Sequence, residues 1–267
     1  MTASDTTHLL WTGGWDSTFR LVDLLLVKQR VVQPYYLIDH DRASFWIEMR
    51  TMHTLKNLLF RRFPECRTRL LPTVYKDIID IKQNASITEQ YQRLKASFQP
   101  WYDVGAQYEW LARFADEMGF ADLELAFEAN SALHTHSLAD ALQNSLVLES
   151  HGSDSRYRLA SNPSNRDLQL FKNFRFPISA MTKADMQRVS ERHGFDDLLE
   201  RTWFCHSPLW GWRVPCGTCR PCRIVREEGF GRRIPLVGHI RYYLLYWTRT
   251  RAANLKKKVQ QRTHWRH

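Results

Sequence analysis

Short apolar runs alternate with longer stretches of helical period through the first half of the chain. Residues 8–11 form a brief apolar run that reads as a strand. The turn-like Thr12-Gly13-Gly14 follows, and residues 19–27 carry a strongly apolar helix. Residues 31–38 (VVQPYYLI) read as a buried strand, weakened by Pro34, which brings no N–H to a sheet ladder. A helical pattern covers residues 45–60, and a third strand is expected over residues 69–75. Residues 102–118 predict a helix stopped by Gly119, residues 122–127 (DLELAF) alternate as a strand does, and residues 133–148 read as another helix.

This β-α-β-α order predicts an α/β fold, a parallel twisted sheet with helices on both faces. Right-handed crossovers would place the C-terminal ends of the strands along one edge, where such sheets bind ligands. Beyond residue 150 the pattern degrades. Residues 150–165 are rich in Ser, Asn, Gly and Asp and predict a long loop. Phe176-Pro177-Ile178 then leads to Thr182, placed to cap a helix with Asp185 in its first turn; that helix runs to His193 and stops at Gly194. A cysteine cluster follows, then a tail from Pro235 that mixes aromatic and basic residues. The expected organisation is an α/β domain over residues 1–200, a metal-binding unit over 201–230 and a helical basic tail over 231–267.

Apolar residues make up 43% of the 267 and charged residues 25%, a globular balance that excludes global disorder. The net charge of +10 is unevenly placed. Residues 229–267 hold ten Lys or Arg and no Asp or Glu, so the whole excess lies there and the body is neutral. A uniformly basic nucleic-acid binder is thereby excluded. The longest apolar runs, such as residues 24–27, are far too short to cross a bilayer. The start (MTASDTTHLL) lacks the basic residues and long apolar run of a secretory signal. A cytoplasmic protein with no membrane partner is expected.

Candidate chemistry begins at Leu9-Leu10-Trp11-Thr12-Gly13-Gly14-Trp15-Asp16-Ser17-Thr18, which reads as strand, tight turn and helix start. Two glycines let the backbone turn sharply and approach a ligand. The following helix points free N–H groups and its positive end at an anion, and Ser17 and Thr18 add hydroxyls. Asp16 is an acceptor in such a site, suited to holding Mg²⁺ or to orienting the loop. There is no GxxxxGK[ST] pattern and no GxGxxG at this turn, so a dinucleotide site is disfavoured. An ordinary strand-to-helix turn capped by Asp and Ser is the plain alternative.

Four of five cysteines fall within 18 residues as Cys205-x10-Cys216-x2-Cys219-x2-Cys222. The odd total and the clustering argue against a disulfide framework and for a metal site. Four thiolates suit a closed tetrahedral Zn²⁺ site, structural rather than catalytic. An iron–sulfur cluster or free thiols are the alternatives. Arg213, Arg220 and Arg223 would offset the negative charge of the centre. Cys66, the spare cysteine, reads as a lone half-buried thiol rather than a nucleophile.

The glycine turn resembles the SGGxDS signature of the PP-loop ATP pyrophosphatases, with Thr12 in place of the usual Ser. Thr202-Trp203-Phe204-Cys205 with Cys216-Gly217-Thr218-Cys219-Arg220-Pro221-Cys222 resembles the TWSC…CGxCxxC ending of the 7-cyano-7-deazaguanine synthase branch. The segment from Pro177 through Thr182-Lys183-Ala184-Asp185 is similar to that branch's PLxxxTKAE segment. The likeness spans residues 8–230 and implies a fold of the adenine nucleotide alpha hydrolase type, a homodimer, and ATP, Mg²⁺ and Zn²⁺ as cofactors. It implies an AMP-forming ligase of queuosine-type biosynthesis that adenylates a 7-deazaguanine carboxylic acid. Ammonia then converts the acid to an amide, and a second adenylation drives dehydration to the nitrile. By position Thr12, Gly13, Gly14, Asp16, Ser17 and Thr18 would hold the phosphates. Lys183 would supply a cation, and Asp39 would lie near the adenosine. The family's GYPDCR-type segment has no counterpart in residues 128–137, and its DYGQRHxxE run is replaced by Asp39-His40-Asp41-Arg42-Ala43-Ser44-Phe45. The acid, the amine or both are therefore expected to differ.

One variant of this function joins the activated acid to a macromolecular amine on a protein or nucleic acid, as in phage defence. A tRNA-binding and modifying protein guided by the basic tail is a second class, and a non-catalytic scaffold a third. In the tail, residues 241–247 (RYYLLYW) with Arg249, Arg251 and Lys256, Lys257 and Lys258 suit nucleic-acid or protein partners. A helix packed on its own domain over residues 236–247 is the plainer expectation, with the last 15 residues a mobile arm. His134 and His136, two apart on a helix, would face different sides and are not expected to share a metal.

Overall fold

The computed structural model describes residues 6–98, 104–127, 138–151, 154–210 and 214–245. The backbone divides into two compact units, one within Met1–His40 and Glu48–Trp203, the other within Asp41–Ile47 and Phe204–His267. The expectations for residues 128–137, including His134 and His136, for Arg213, and for the tail from residue 246 lie outside the described residues.

The first unit is an α/β sheet flanked by helices. Its strands are β1 (Thr6–Leu10), β2 (Val31–Ile38), β3 (Val74–Asp77), β4 (Leu123–Glu124), β5 (Leu146–His151), β6 (Asp154–Leu159) and β7 (Phe174–Phe176). The order is β3-β2-β1-β4-β7-β6-β5. The five strands from β3 to β7 run parallel, and β6 and β5 continue the sheet antiparallel. Between them lie α1 (Trp15–Val22), which continues as a π-helical turn over Asp23–Val27, α2 (Phe45–Arg62), α3 (Ala85–Ala96) and α4 (Gln107–Glu117). Further along come α5 (Leu138–Gln143), α6 (Lys183–Arg192) and α7 (Asp196–Glu200).

Strand pleating explains the layers. Leu10, Tyr35 and Leu37 share a core with Leu94 of α3 and with Leu111, Phe114 and Ala115 of α4. Tyr36 points the other way and donates from its hydroxyl to Glu48 of α2 at 3.0 Å. Helices therefore cover both faces, as the alternating sequence pattern predicts. β2 is interior despite Pro34. Val32 exchanges hydrogen bonds with Arg69 and Leu71 on its β3 side, and alternation turns the Pro34 nitrogen to that same side. There it falls in the gap between the isolated Val32–Leu70 bridge and the first β2–β3 pair, Tyr35–Val74. The side chain of Gln33 bonds the Pro72 carbonyl across this gap at 2.6 Å, so the missing donor leaves no hole in the ladder. The third strand accordingly starts later than residue 69.

Two expectations are corrected. Residues 150–165 are not a loop throughout, and the helix expected over 133–148 is only α5 within the described residues. β5 and β6 form an antiparallel hairpin across residues 146–159. Leu159 enters the core with Leu146 and Tyr157 against it, and cross-strand charge adds to this: Glu149 opposes Arg156, lies 3.6 Å from Arg158 and pairs with Arg175 of β7 at 2.7 Å. Polar composition therefore hid it.

Arg20 of α1, 2% exposed, forks onto Glu124 of the central strand β4 with two 2.8 Å bonds and onto Asp154 at 3.0 and 2.7 Å, and touches Asp23 at 3.2 Å. Glu124 is fully buried. Bidentate geometry compensates the desolvation of these charges. Burial pushes the Asp23 carboxyl up, whereas at Asp154 the Arg20 guanidinium more than offsets burial and holds it below the ordinary range.

Candidate functional site

The turn between β1 and α1 sits where the strand order reverses. β2 and β3 lie to one side of β1, and β4 and β7 lie to the other. In open parallel sheets this point, at the carboxyl ends of the strands, leaves a crevice that binds ligands. Gly13 adopts φ +72°, and a Cβ there would approach the Met52 Cγ to 3.1 Å and the Glu48 carbonyl to 3.4 Å. Both the backbone conformation and the close approach of α2 thus require glycine. Gly14 is the N-cap of α1 in an extended conformation and offers no side-chain cap. The first-turn N–H groups of α1 thus have neither an intrahelical acceptor nor a capping side chain at Gly14.

The side chains around the turn divide by role. The Ser17 hydroxyl accepts from the Thr12 N–H at 3.3 Å and lies 3.4 Å from the Thr12 hydroxyl, which fixes the turn's width. Thr18 is 1% exposed, and its oxygen accepts from the Trp11 indole at 3.0 Å. The structure therefore places the Thr18 hydroxyl on the inner side, bracing the turn. Asp16 Oδ1 is buried with no hydrogen-bond partner among the described residues and faces Lys183 Nζ at 3.7 Å. Lys183 is the first residue of α6, held there by a capping box: Thr182 accepts from the Asp185 N–H at 3.2 Å, and Asp185 accepts from the Thr182 N–H at 2.9 Å. α6 follows β7, whose carboxyl end lies on the same edge as the turn. Asp39 follows the end of β2, the strand next to β1.

Two features here were not singled out from the sequence. The Trp203 N–H donates to the Gly13 carbonyl at 2.9 Å, and the Trp203 carbonyl lies 3.6 Å from where a Gly14 Cβ would stand. Backbone contacts of this kind leave no compositional signal. At the ends of β2 and β3, His40 meets Asp77 at 2.5 Å. The Ile79 N–H, and then His40, hold that carboxyl below its ordinary value. Cys66 is fully buried rather than half-buried, and burial pushes its thiol up to about 11, far from a reactive thiolate.

The candidate metal centre belongs to the second unit. The sulfurs of Cys205, Cys216, Cys219 and Cys222 lie within 4.8 Å of one another, with separations of 3.4 Å (219–222) and 3.9 Å (216–222 and 205–219). Tetrahedral zinc with bonds of about 2.3 Å requires sulfurs about 3.8 Å apart, so the set fits a four-thiolate metal. Gly217 at φ +75° lets the 216–219 step fold back. The N–H groups of Thr218 and Cys219 then point at the Cys216 sulfur at 3.4 and 3.3 Å, and the Cys216 N–H points at the Cys205 sulfur at 3.2 Å. Pro221 lies in the first turn of α8 (Arg220–Glu227), whose N-cap is Cys219. Hydrogen bonds with Cys205 and Cys222 push Cys219 down toward thiolate, while the hydrogen bond with Cys219, and then burial, push Cys205 up to about 12. Ionising all four sulfurs requires a cation among them.

No family model and no curated protein matches this sequence. Among the described residues no helix is long and apolar enough to cross a membrane.

Proposed function

We propose that the chain is an ATP-dependent, AMP-forming ligase of PP-loop type, acting on a 7-deazaguanine carboxylic acid. The observation that carries this reading is the glycine turn at the reversal point of the sheet. It opens on the N-terminus of α1, and Lys183 stands 3.7 Å from Asp16 beside it. An uncapped helix start and a flanking ammonium favour a polyphosphate. Asp16, with an oxygen lacking a hydrogen-bond donor, suits Mg²⁺. Thr12, Gly13, Gly14 and Ser17 line the turn, with Thr18 bracing it, and Asp39 is the candidate for the adenosine side.

In this reading the acid's carboxylate oxygen attacks the α-phosphorus of ATP, and pyrophosphate leaves. An amine nitrogen then attacks the acyl carbon, loses a proton, and expels AMP. A second adenylation of the amide oxygen would allow loss of AMP to give the nitrile. The chain's contribution is to hold the reactants together and neutralise phosphate charge. Zn²⁺ is the metal we assign to Cys205, Cys216, Cys219 and Cys222, as a structural ion with no open position.

The test is to incubate the protein with ATP, Mg²⁺, ammonia and 7-carboxy-7-deazaguanine and to follow AMP and nucleobase by mass spectrometry. AMP with an amide or nitrile supports the reading; absence of both removes it. The concentration of positive charge after residue 228 favours a second version, in which the amine belongs to a macromolecule. An intact-mass shift on a co-expressed partner would mark that version.

A further inference from the structure

The outer face of α2 carries positive charge that no carboxylate answers. The inner stripe of this helix, Glu48, Met52, Leu55 and Leu59, is buried. On the opposite side, at helical spacing, stand Arg50, His53, Asn57 and Arg61, all exposed. His53 and Asn57 bond each other at 2.9 Å. Half-buried Lys56 flanks the row, and so does exposed Arg67 from the 3-10 turn Pro64–Thr68 that follows α2. These two cations lie 5.6 and 4.9 Å from the centre of a single ring, that of Phe60.

Among the described residues Arg50, Lys56, Arg61 and Arg67 make no ion pair, whereas Arg62, at the margin of the row, is taken by Asp197 of α7. Residues 49–76 hold seven Lys or Arg and one carboxylate, Glu65, and all of them belong to the first unit. In a body whose charges otherwise balance, this is a local excess. Like charges gathered on one surface repel one another and cost stability. A polyanion seated on the face relieves that repulsion.

The rest of the face selects the polyanion. Among the described residues no large apolar side chain is exposed from 47 to 73, so the face lacks the apolar centre of a protein interface. It also lacks an exposed ring on which unpaired bases could stack, since Phe60 is half-buried beneath its two cations. What it offers is charge along a line. The row from Arg50 to Arg61 runs about 16 Å at 1.5 Å per residue, and a duplex presents one phosphate charge per about 1.7 Å of its axis. We propose that this face of α2 binds the phosphate backbone of a nucleic-acid duplex without reading its sequence. The proposal stands apart from the nucleotide reading and from the residues beyond 245.

The test titrates the full chain into labelled RNA and DNA duplexes of about 20 base pairs and arbitrary sequence, between about 50 and 200 mM salt, and follows fluorescence anisotropy. Binding of either duplex, weakening steeply with salt, is expected, and the tighter of the two names the source of the phosphates. Arg50→Gln, Lys56→Gln, Arg61→Gln and Arg67→Gln together should make the slope of log K against log salt shallower by about 3.6, four contacts at about 0.9 each. Arg61→Gln alone, on an exposed position, should make it shallower by about 0.9, with unchanged circular dichroism. No binding at the lowest salt overturns the proposal, as does a slope that these substitutions leave unchanged. Polyglutamate bound as tightly as the duplex, or a single strand bound more tightly, also overturns it.

Discussion

The Trp203 N–H donates to the Gly13 carbonyl at 2.9 Å. Trp203 precedes Cys205 by two residues, so the chain that shapes the glycine turn leads directly into the first thiol of the cysteine cluster. On the zinc proposed for that cluster, a chelator would free Cys205 and loosen this path. Calorimetry should then show Mg·ATP bound about tenfold more weakly, with the far-ultraviolet dichroism of the sheet retained. Equal affinity with and without metal would contradict the coupling.

Gly13 and Gly119 allow a controlled comparison. Both have positive φ, +72° and +68°, but a Cβ at Gly119 meets nothing within 4 Å, whereas at Gly13 it meets Met52. Gly119→Ala should cost only the left-handed backbone term of about 1–2 kcal/mol, or about 2–8 °C in Tm. Gly13→Ala should cost more and abolish nucleotide binding. Calorimetric melting of the two variants decides it; equal losses would mean that α2 yields freely.

Lys183 stands at the start of a helix whose capping box does not involve its side chain. Lys183→Gln also removes the ion pair of this mostly buried ammonium with Asp16, so Tm should fall by a few degrees while AMP formation falls about 10²-fold or more, the scale of a lost charge-stabilising donor. A rate within a factor of two of the parent would remove the ammonium from the reaction.

Arg20 and Glu124 are 104 residues apart in sequence and fully desolvated together. Glu124→Gln should cost about 1–3 kcal/mol, because it removes one charge-assisted partner of a guanidinium that keeps Asp154 and Asp23; denaturant unfolding measures it. Asp154 adds a pH dependence. Its folded pKa is depressed, so its contribution is present above the ordinary value of about 3.9 and is lost as pH falls through the lower folded value. Asp154→Asn should flatten the stability profile in that acid window. An unchanged profile would show that Asp154 titrates alike folded and unfolded.

These contrasts show which features were readable in the sequence. Local chemistry was plain: Thr182 and Asp185 cap α6, Gly119 and Gly194 follow helix ends with positive φ, and the cysteine spacing brings four sulfurs together. Non-local chemistry was not. Nothing in residues 122–127 announces that Glu124 meets Arg20, and the β5–β6 hairpin joins Glu149 to three arginines on one side while only Leu146, Tyr157 and Leu159 meet the core. Pro34 argued against an interior strand because its sheltering gap depends on where β3 begins. At the site, the turn was legible as glycines and hydroxyls, but its bracing by Met52, Trp11 and Trp203 depends on tertiary placement.

The central claim is that this turn holds the triphosphate of ATP. Titrating the magnesium salt of α,β-methylene ATP, which cannot be cleaved at the reacting bond, into the full-length protein tests it most directly. One site per chain is predicted, lost in Asp16→Ala and in Gly14→Val, whose side chain would strike Thr12. No heat of binding at millimolar nucleotide, or binding untouched by both substitutions, would contradict it.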